Sequence, residues 1–345
     1  MEWTVSVVSL AATGAQQELA HSVAKLLESE MPVERLTRAG LDPALDSPTW
    51  LRMASLGWLG IATAEAGGGS DLPAQDQVLV AREFGRALAP LSMVASLLGA
   101  RAAQAAGDAS LSKAIVTGMR RVAIAVPIGT SGDGSGAYLL DCRDAALALL
   151  VSPRGAALHG LAELPEFEQR EAFDEAMPLA WTDLAAAHVL CRVQEPGLYD
   201  LALILSAAYT TGMCEAITGM AVRYASTREQ FGRPIGGFQA VKHGCADMAI
   251  RSDAAWAQVV FAALCFGQEG DEARYQALGA RLVASAYAIA NAQANIQLHG
   301  AIGVTDELVA HRFLKRARVM DMCFGTAATH GDALLSCPDV LEQAA

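Results

Sequence analysis

The sequence predicts a mostly helical protein in three parts: an N-terminal helical domain (1–117), a small β-rich middle domain (118–195) and a C-terminal helical bundle (196–345). Apolar residues recur at helical spacing on both sides of the middle part, which instead alternates in short runs. Hydrophobic residues make up 53% of the chain and charged residues only 18%. So much apolar surface favours large helix–helix contacts and an oligomer.

The N-terminal domain is predicted to contain four main helices: Gln16–Glu30, Thr49–Leu56, Pro73–Ala87 and Ser92–Ala106. Ser47 and Pro48 are a typical helix start, because serine caps the first turn and proline suits the first helical position. Gly67–Gly69 lies between helices with no lysine to support a phosphate. It is predicted to be a connecting loop.

The middle domain is the one region whose pattern favours a sheet. RVAIAVPIG alternates briefly from Arg121, and AYLLD and DAALALLVS follow as predicted strands. The glycine-rich segment Gly129–Gly136 resembles a phosphate loop in composition, but a dinucleotide fingerprint needs a helix directly after the glycines. A strand-like segment follows here, so a hairpin or flexible loop is predicted.

Three long helices are predicted in the C-terminal bundle, over Tyr199–Thr227, Phe238–Phe266 and Glu269–Gly300. A short basic helix over Glu307–Arg318 and a last segment from Thr326 follow. Long helices joined by short turns are typical of a helical bundle.

Charge and cysteine usage exclude several classes of function. A formal net charge of −12 argues against nucleic acid as the main partner. The seven cysteines are scattered without a CxxC pair, which predicts reduced thiols in a cytoplasmic protein. The N-terminus lacks a basic region followed by an apolar core, so no signal peptide is expected. No apolar run is expected to reach the roughly 20 residues that span a membrane.

No motif predicts hydrolytic or metal chemistry. The sequence has no GxSxG elbow and no HExxH spacing. His243, His299 and His311 are isolated and are predicted to be structural histidines. Glu215 lies mid-helix in a run of small residues and could be buried, but one acid does not define a paired-carboxylate site.

The segment Thr227–Gln239, TREQFGRPIGGFQ, combines a turn with groups that suit a nucleotide. Its glycines and proline interrupt the helical pattern. Arg228 offers a fork-shaped cation for phosphate, Phe231 offers a ring that can stack on a planar base, and Gln239 offers an amide. A plain connector has little use for that combination, so a bound dinucleotide cofactor is predicted.

A second segment, QLHGAIGVTDE from Gln297, places an amide one turn before Gly300. An ordinary glycine cap explains Gly300 at the end of a helix. It does not explain the amide, so Gln297 and Gly300 are further candidate cofactor-binding residues.

These segments resemble the acyl-CoA dehydrogenase family, and the similarity runs over most of the chain. The family pattern R-x-x-F-G-x-x-I-x-x-F-Q is matched over Arg228–Gln239, and Ala246–Met248 also fits. The later pattern Q-x-x-G-G-x-G-x-T is matched over Gln297–Thr305, with Ala301 in place of the second glycine. GWLGIATAEAGGG and AREFGRALAP resemble the family's early helices.

The resemblance implies a tetrameric flavoenzyme that forms a double bond α,β to a CoA thioester. In that family a glutamate removes the α-proton while the β-hydrogen leaves as hydride to FAD. The resemblance also implies that Arg228, Phe231, Gln239, Gln297 and Gly300 contact the adenine and pyrophosphate part of an FAD held by a neighbouring subunit.

The chain departs from the family where the catalytic base is expected. The family's Y-E-G-T segment corresponds to Cys323–Thr326, which puts Phe324 at the glutamate position. Other members place the base at the start of the first bundle helix, which corresponds to Ala202, with Leu203 replacing a neighbouring arginine. Neither phenylalanine nor alanine can accept a proton. Asp200, two residues from Ala202, is a possible substitute.

The middle domain departs as well, and it is shortened relative to the family's β-domain. The T-E-P-x-x-G-S-D-like and W-I-T-like segments that wrap the flavin ring in the family are missing between Arg120 and Gly197. Trp181-Thr182 lacks the expected surroundings. The chain is therefore predicted not to hold a flavin ring in a pocket of its own.

Three hypotheses follow. The chain is the non-catalytic subunit of a heteromeric acyl-CoA dehydrogenase, an α2β2 assembly acting on an acyl-CoA such as a steroid side-chain thioester, and shares FAD with a glutamate-bearing paralogue. Alternatively, it is a homo-oligomeric enzyme with a relocated base, Asp200 or Glu215. In the third hypothesis it is a flavin-free scaffold that uses the bundle only for association.

Overall fold

The structure is a computed structural model that describes residues 10–37, 47–128, 136–162, 168–268 and 271–337. The fold is mostly helical, as predicted. In these ranges the N-terminal domain contains α1 (Gly14–Glu30), α2 (Ser47–Ser55), α3 (Ala74–Arg86), α4 (Leu91–Ala105) and α5 (Ala109–Val116). Helix α4 is buried on almost every side, because it lies between α5, the sheet and the bundle.

The middle domain is a seven-stranded sheet with the order β5-β6-β2-β1-β3-β4-β7. Its strands are β1 (Arg121–Pro127), β2 (Gly136–Leu140), β3 (Ala145–Ser152), β4 (Gly155–Gly160), β5 (Glu168–Arg170), β6 (Leu179–Asp183) and β7 (Val189–Val193). Only the β1–β3 pair is parallel among the described strands. Alternation alone predicts fewer strands, because β4 is buried along almost its whole length. The predicted loop over 129–136 lies outside the described residues except for Gly136.

The C-terminal bundle contains α6 (Pro196–Thr227), α7 (Gln239–Cys265), α8 (Glu272–His299), α9 (Ala310–Met320) and α10 (Ala327–Leu335). A two-stranded hairpin of β8 (Glu229–Gln230) and β9 (Arg233–Pro234) joins α6 to α7. Helix α6 begins at a proline, whose missing N–H costs nothing in the first turn. It packs against α3, α7 and α8 and is the central helix of the molecule.

Helix α6 is also the one helix, within the described ranges, that is long and apolar enough to cross a membrane. Its most apolar window has a mean hydropathy of 1.3. The expectation that no apolar run reaches this length is therefore wrong for α6. The apolarity has a structural reason, since 83% of that window is buried inside the protein.

A buried polar network joins the three domains. The Arg316 Nε of α9 donates to Asp174 Oδ2 at 2.5 Å, and its Nη1 donates to the Tyr209 hydroxyl of α6 at 2.7 Å. That hydroxyl donates in turn to the Ala89 carbonyl between α3 and α4 at 2.7 Å. Burial alone lowers the pKa of Arg316, but Asp174 and Tyr209 outweigh burial and raise it. Helix α9 is thereby held against both other domains.

Candidate functional site

The turn between α6 and α7 presents its aromatic side chain to solvent. Phe231 and Gly232 are its two central residues, with φ of 54° and 76°. The Ile235 N–H donates to the Arg228 carbonyl at 2.8 Å and closes the turn. Phenylalanine rarely adopts a positive φ. Phe231 does so here, and its side chain is 92% exposed. A strained backbone that displays a large apolar ring is characteristic of a functional site.

The groups around Phe231 form an exposed polar and aromatic surface. Its ring lies edge-on to Phe238, with 6.0 Å between centroids, and the Arg233 guanidinium covers Phe238 at 4.2 Å. Arg228, at the end of α6, and Gln239, at the start of α7, are both exposed. The segment that the sequence singled out therefore carries its cation, ring and amide on the protein surface.

The end of α8 lies beside this turn. Tyr224, one turn before Arg228, stacks on His299 with 4.1 Å between ring centroids. Gln297 is exposed, and Gly300 caps α8 with φ 66°, where its N–H donates to the carbonyls of Ile296 and Gln297.

The structure thus brings all five predicted cofactor-binding residues to one end of the bundle. We call this the exposed end, defined by Arg228, Phe231, Gln239, Gln297 and Gly300.

The chemistry of the exposed end fits the ADP half of a dinucleotide. A guanidinium and backbone N–H groups suit a pyrophosphate, while an exposed ring and side-chain amides suit an adenine. No carboxylate forms an ion pair with Arg228 or Arg233 among the described residues, so both cations are available to an anion.

Phe324 lies in a very different turn, which we call the Phe324 turn (Cys323–Thr326). Its φ is 62°, yet the side chain is only 8% exposed. The His330 Nε2 lies 3.1 Å from the Phe324 carbonyl oxygen. Because a carbonyl only accepts, the imidazole donates this hydrogen bond, and burial lowers the pKa of His330. Ala202 and Leu203, in α6, are fully buried.

A buried arginine lies next to the Phe324 turn. The guanidinium of Arg281, in α8, donates to the Ser285 hydroxyl and to the Met320 carbonyl at the end of α9. It is 1% exposed and forms no ion pair with a carboxylate in the described part of the chain. Burial lowers the pKa of Arg281 and raises that of the neighbouring Cys323 thiol to about 11. This region offers a fixed cation, and its imidazole, His330, already donates through Nε2 to the Phe324 carbonyl.

Both alternative bases are engaged in ion pairs. Asp200 pairs with Arg274, and burial raises the pKa of Asp200 although Arg274 opposes the rise. Glu215 pairs with Arg82 at 2.8 Å and with Arg86 at 3.0 Å, which joins α6 to α3. In these positions the two carboxylates stabilise contacts between helices.

A small apolar cavity, partly open to solvent, lies between the sheet and the end of α9. Its volume is about 120 Å³, and its wall includes Val126, Leu140, Phe173, Val319 and Met322. Ligand pockets usually enclose about 300–1,000 Å³ and carry a few polar groups. This cavity is too small for a three-ring flavin and offers almost no hydrogen-bonding surface.

The sequence was less informative about the histidines. His299 and His311 are buried, and His299 is hydrogen-bonded through Nδ1 to the Asn295 carbonyl at 2.8 Å. His243 instead lies exposed on α7, so the structural interpretation does not fit it. Within the described ranges, no three His, Cys, Asp or Glu side chains are grouped as a metal site would require.

Comparison with known proteins assigns this chain to a family. Residues 13–122 match the acyl-CoA dehydrogenase N-terminal domain, and residues 202–335 match its C-terminal domain. The acyl-CoA dehydrogenase IpdE2 of Mycobacterium tuberculosis is 32% identical over 307 residues, which cover 88% of this chain and 90% of IpdE2. The chain belongs to the acyl-CoA dehydrogenase family.

A second relative within the family is much longer than this chain. The acyl-CoA dehydrogenase FadE34 of Mycobacterium tuberculosis is 32% identical over 280 residues. These cover 78% of this chain but only 39% of FadE34.

Solved acyl-CoA dehydrogenase structures share the whole fold. A variant of the Tcur3481–Tcur3483 steroid acyl-CoA dehydrogenase superposes with a TM-score of 0.80 at 26% identity, covering 96% of this chain and 98% of that chain. The ChsE4–ChsE5 complex of Mycobacterium tuberculosis superposes with a TM-score of 0.79 at 24% identity, covering 96% and 100%. At 24% identity, the match to ChsE4–ChsE5 is evidence of a shared fold alone. The resemblance and the fold class expected from the sequence are both confirmed.

Proposed function

We propose that this chain is the non-catalytic subunit of a heteromeric, FAD-dependent acyl-CoA dehydrogenase, and that it completes the FAD site of a glutamate-bearing paralogue. The observation that carries the proposal is a contrast within one chain. The groups that suit a dinucleotide are present and exposed, while both family positions for the base hold apolar residues. Losing the base while keeping the cofactor contacts is what a division of labour requires.

Each residue of the exposed end has a role in this proposal. Arg228 binds the pyrophosphate through charge-assisted hydrogen bonds, and Phe231 packs on the adenine. Gln239 and Gln297 donate and accept hydrogen bonds at the polar edges of the nucleotide. Gly300 leaves its backbone open to a close approach, since nothing lies within 4 Å of where its Cβ would be. When bound, FAD supplies the hydride-accepting ring of the dehydrogenation.

The flavin ring and the base belong to the partner in this scheme. The apolar cavity beside α9 is too small for the ring, and the Phe324 turn has no group that could take the α-proton of a thioester. This chain therefore contributes binding and orientation, and the partner contributes the proton transfer.

Apolar side chains around the exposed end support a partner surface. Phe231 and Val304 are 92% and 64% exposed, in the hairpin and in the turn after α8. Large apolar side chains that stay exposed near polar ligand groups are typical of an interaction surface. ChsE4–ChsE5, which shares this fold, is by name a complex. A cytoplasmic α2β2 assembly would let two copies of this chain complete two FAD sites.

The similarity to the Tcur3481–Tcur3483 steroid acyl-CoA dehydrogenase favours a steroid side-chain CoA thioester as the substrate. A bulky ring system needs more room than a linear acyl chain, and a subunit without a working cleft of its own could provide it.

The first experiment is purification of the chain alone and together with its glutamate-bearing paralogue. We expect the chain alone to be colourless and inactive, and the pair to co-purify as a yellow, active complex. Yellow and active protein from this chain alone would contradict the proposal. A stable complex without flavin would favour the scaffold hypothesis.

The second experiment tests the cofactor contact. Arg228→Ala in the complex should weaken FAD binding by about 1.5–3 kcal/mol, or roughly 10- to 150-fold in Kd, because the pyrophosphate loses a charge-assisted contact. Flavin fluorescence titration measures the change. Arg154→Ala, an exposed arginine in the β3–β4 turn, is the matched control and should leave Kd unchanged.

The homo-oligomeric alternative deserves a test because burial raises the pKa of Asp200. If the base lies on the partner, Asp200→Asn in the complex should keep kcat near the wild-type value for each bound flavin. A true general base would lose at least about 100-fold. Glu215→Gln is the parallel variant, and a large loss in either one would support the relocated base.

A further inference from the structure

His299 lies where the two halves of the exposed end meet. Its ring stacks on Tyr224 of α6, with 4.1 Å between centroids and 29° between planes. Its Nδ1 donates to the Asn295 carbonyl at 2.8 Å, which fixes the ring against its own helix. The side chain is buried, unlike that of Gln297 two residues earlier. It therefore faces the protein interior, behind the exposed groups.

The turn after α8 packs directly on the same residue. A Cβ at Gly303 would lie 3.1 Å from the His299 Cβ and 2.8 Å from the Ile296 carbonyl oxygen. Only a glycine allows the turn over 300–304 to approach the helix so closely. His299 thus touches α6 on one side and the Gly300 turn on the other.

We propose that His299 is a positioning residue for the dinucleotide site. By stacking on Tyr224 it sets the distance between the end of α6, which carries Arg228, and the end of α8, which carries Gln297 and Gly300. This inference rests on the proposed function, because it assigns a role at the same cofactor site.

The aromatic ring is the part of His299 that matters for this role. A stacked ring pair restricts both the separation and the tilt of the two helix ends, and alanine would remove that restriction. Phenylalanine would keep the stack and lose only the hydrogen bond to Asn295. Tyr224→Phe keeps the stack from the other side, while Tyr224→Leu removes it.

Each variant is assembled into the complex with the paralogue. FAD affinity is then measured by flavin fluorescence titration, and stability by the melting temperature. We expect His299→Ala and Tyr224→Leu to weaken FAD binding roughly 3- to 10-fold, a range set by the strength of aromatic pairs. His299→Phe and Tyr224→Phe should stay close to wild type. The loss must exceed what a lowered melting temperature alone would cause, so titrations are made well below the transition of every variant.

A double variant separates positioning from simple destabilisation. If His299 acts through Arg228, then Arg228→Ala with His299→Ala should lose less affinity than the product of the two single losses. Wild-type affinity in both His299→Ala and Tyr224→Leu, with Arg228→Ala impaired, would overturn this inference and leave the proposed function standing. Wild-type affinity in Arg228→Ala as well would overturn the proposed function itself.

Discussion

Two phenylalanines in left-handed turns show how differently two parts of this chain are used. Phe231 and Phe324 have φ of 54° and 62°, a conformation that disfavours a bulky side chain. Phe231 is 92% exposed in a turn surrounded by cations and amides. Phe324 is 8% exposed and lies in a turn held by His330.

The difference separates a strained turn whose ring faces solvent from a strained turn whose ring is buried. Strain at a ring that is 92% exposed is offset by little packing within this chain beyond the edge contact with Phe238, which favours a benefit from a ligand or a partner. Strain at a buried ring can be offset within the chain by packing and by the hydrogen bond from His330 to the Phe324 carbonyl. Under the proposed function, the exposed end is incomplete without another molecule, whereas the Phe324 turn is complete by itself.

The largest expected effect comes from breaking the buried ion pair between Asp174 and Arg316. Asp174→Asn should lower the free energy of unfolding by about 3–5 kcal/mol, because it leaves the buried Arg316 cation without its carboxylate. Both side chains of this pair are at most 2% exposed. Helix α9, which leads into the Phe324 turn, would lose its buried ion pair with the segment between β5 and β6. Urea unfolding of the isolated chain measures the change.

Glu175→Gln is the matched control for that variant. Glu175 pairs with Arg312 and Lys315 of the same helix, but its side chain is 49% exposed. The Glu175 carboxylate is half exposed, and the buried Arg312 keeps Asp306 at 3.3 Å as a second partner, so we expect a loss below about 1 kcal/mol. Equal losses in the two variants would show that burial does not distinguish the two ion pairs.

A smaller effect of opposite sign is expected at the exposed end. Phe231→Asn should raise the free energy of unfolding of the isolated chain by about 1 kcal/mol, because asparagine tolerates a positive φ and little burial is lost. The same variant should weaken FAD binding by the complex by about 0.5–1.5 kcal/mol, through loss of the ring contact. Phe231→Tyr keeps the ring and should change neither quantity much. A destabilised Phe231→Asn chain would mean that the ring serves the fold.

Sequence alone was sufficient to single out the candidate residues that follow local patterns. Arg228, Phe231 and Gln239 stand in one short segment whose turn residues and side chains indicate a nucleotide together. Phe324 and Ala202 could be located by counting from the matched motifs. The structure adds that the first group is exposed and the second buried, which no local pattern reports.

Residues that act through long-range contacts could not be found this way. Asp174 and Arg316 are 142 positions apart in the chain, so neither signals the other. His299 looked like an isolated structural histidine, because its partner Tyr224 belongs to a different helix. Arg281 gave no signal, since an arginine in a long helix is normally exposed. The sheet was underestimated because its inner strands are buried on both faces and do not alternate.

The smallest expected effect is a pH dependence at the Phe324 turn. Burial lowers the pKa of His330 below its usual value of 6.5, so the folded chain binds fewer protons there than the unfolded chain. This contribution is present above pH 6.5 and is lost as the pH falls from there towards the folded pKa.

His330→Gln keeps a donor for the Phe324 carbonyl without titrating. Urea midpoints between about pH 7.5 and pH 5.5 should therefore fall less in this variant than in wild type. His159 and His311 have lowered pKa values and remain in both proteins, so only the difference in slope reports on His330. Identical slopes would mean that His330 has the same pKa in the folded and the unfolded chain, and that the Phe324 turn is less closed than its burial suggests.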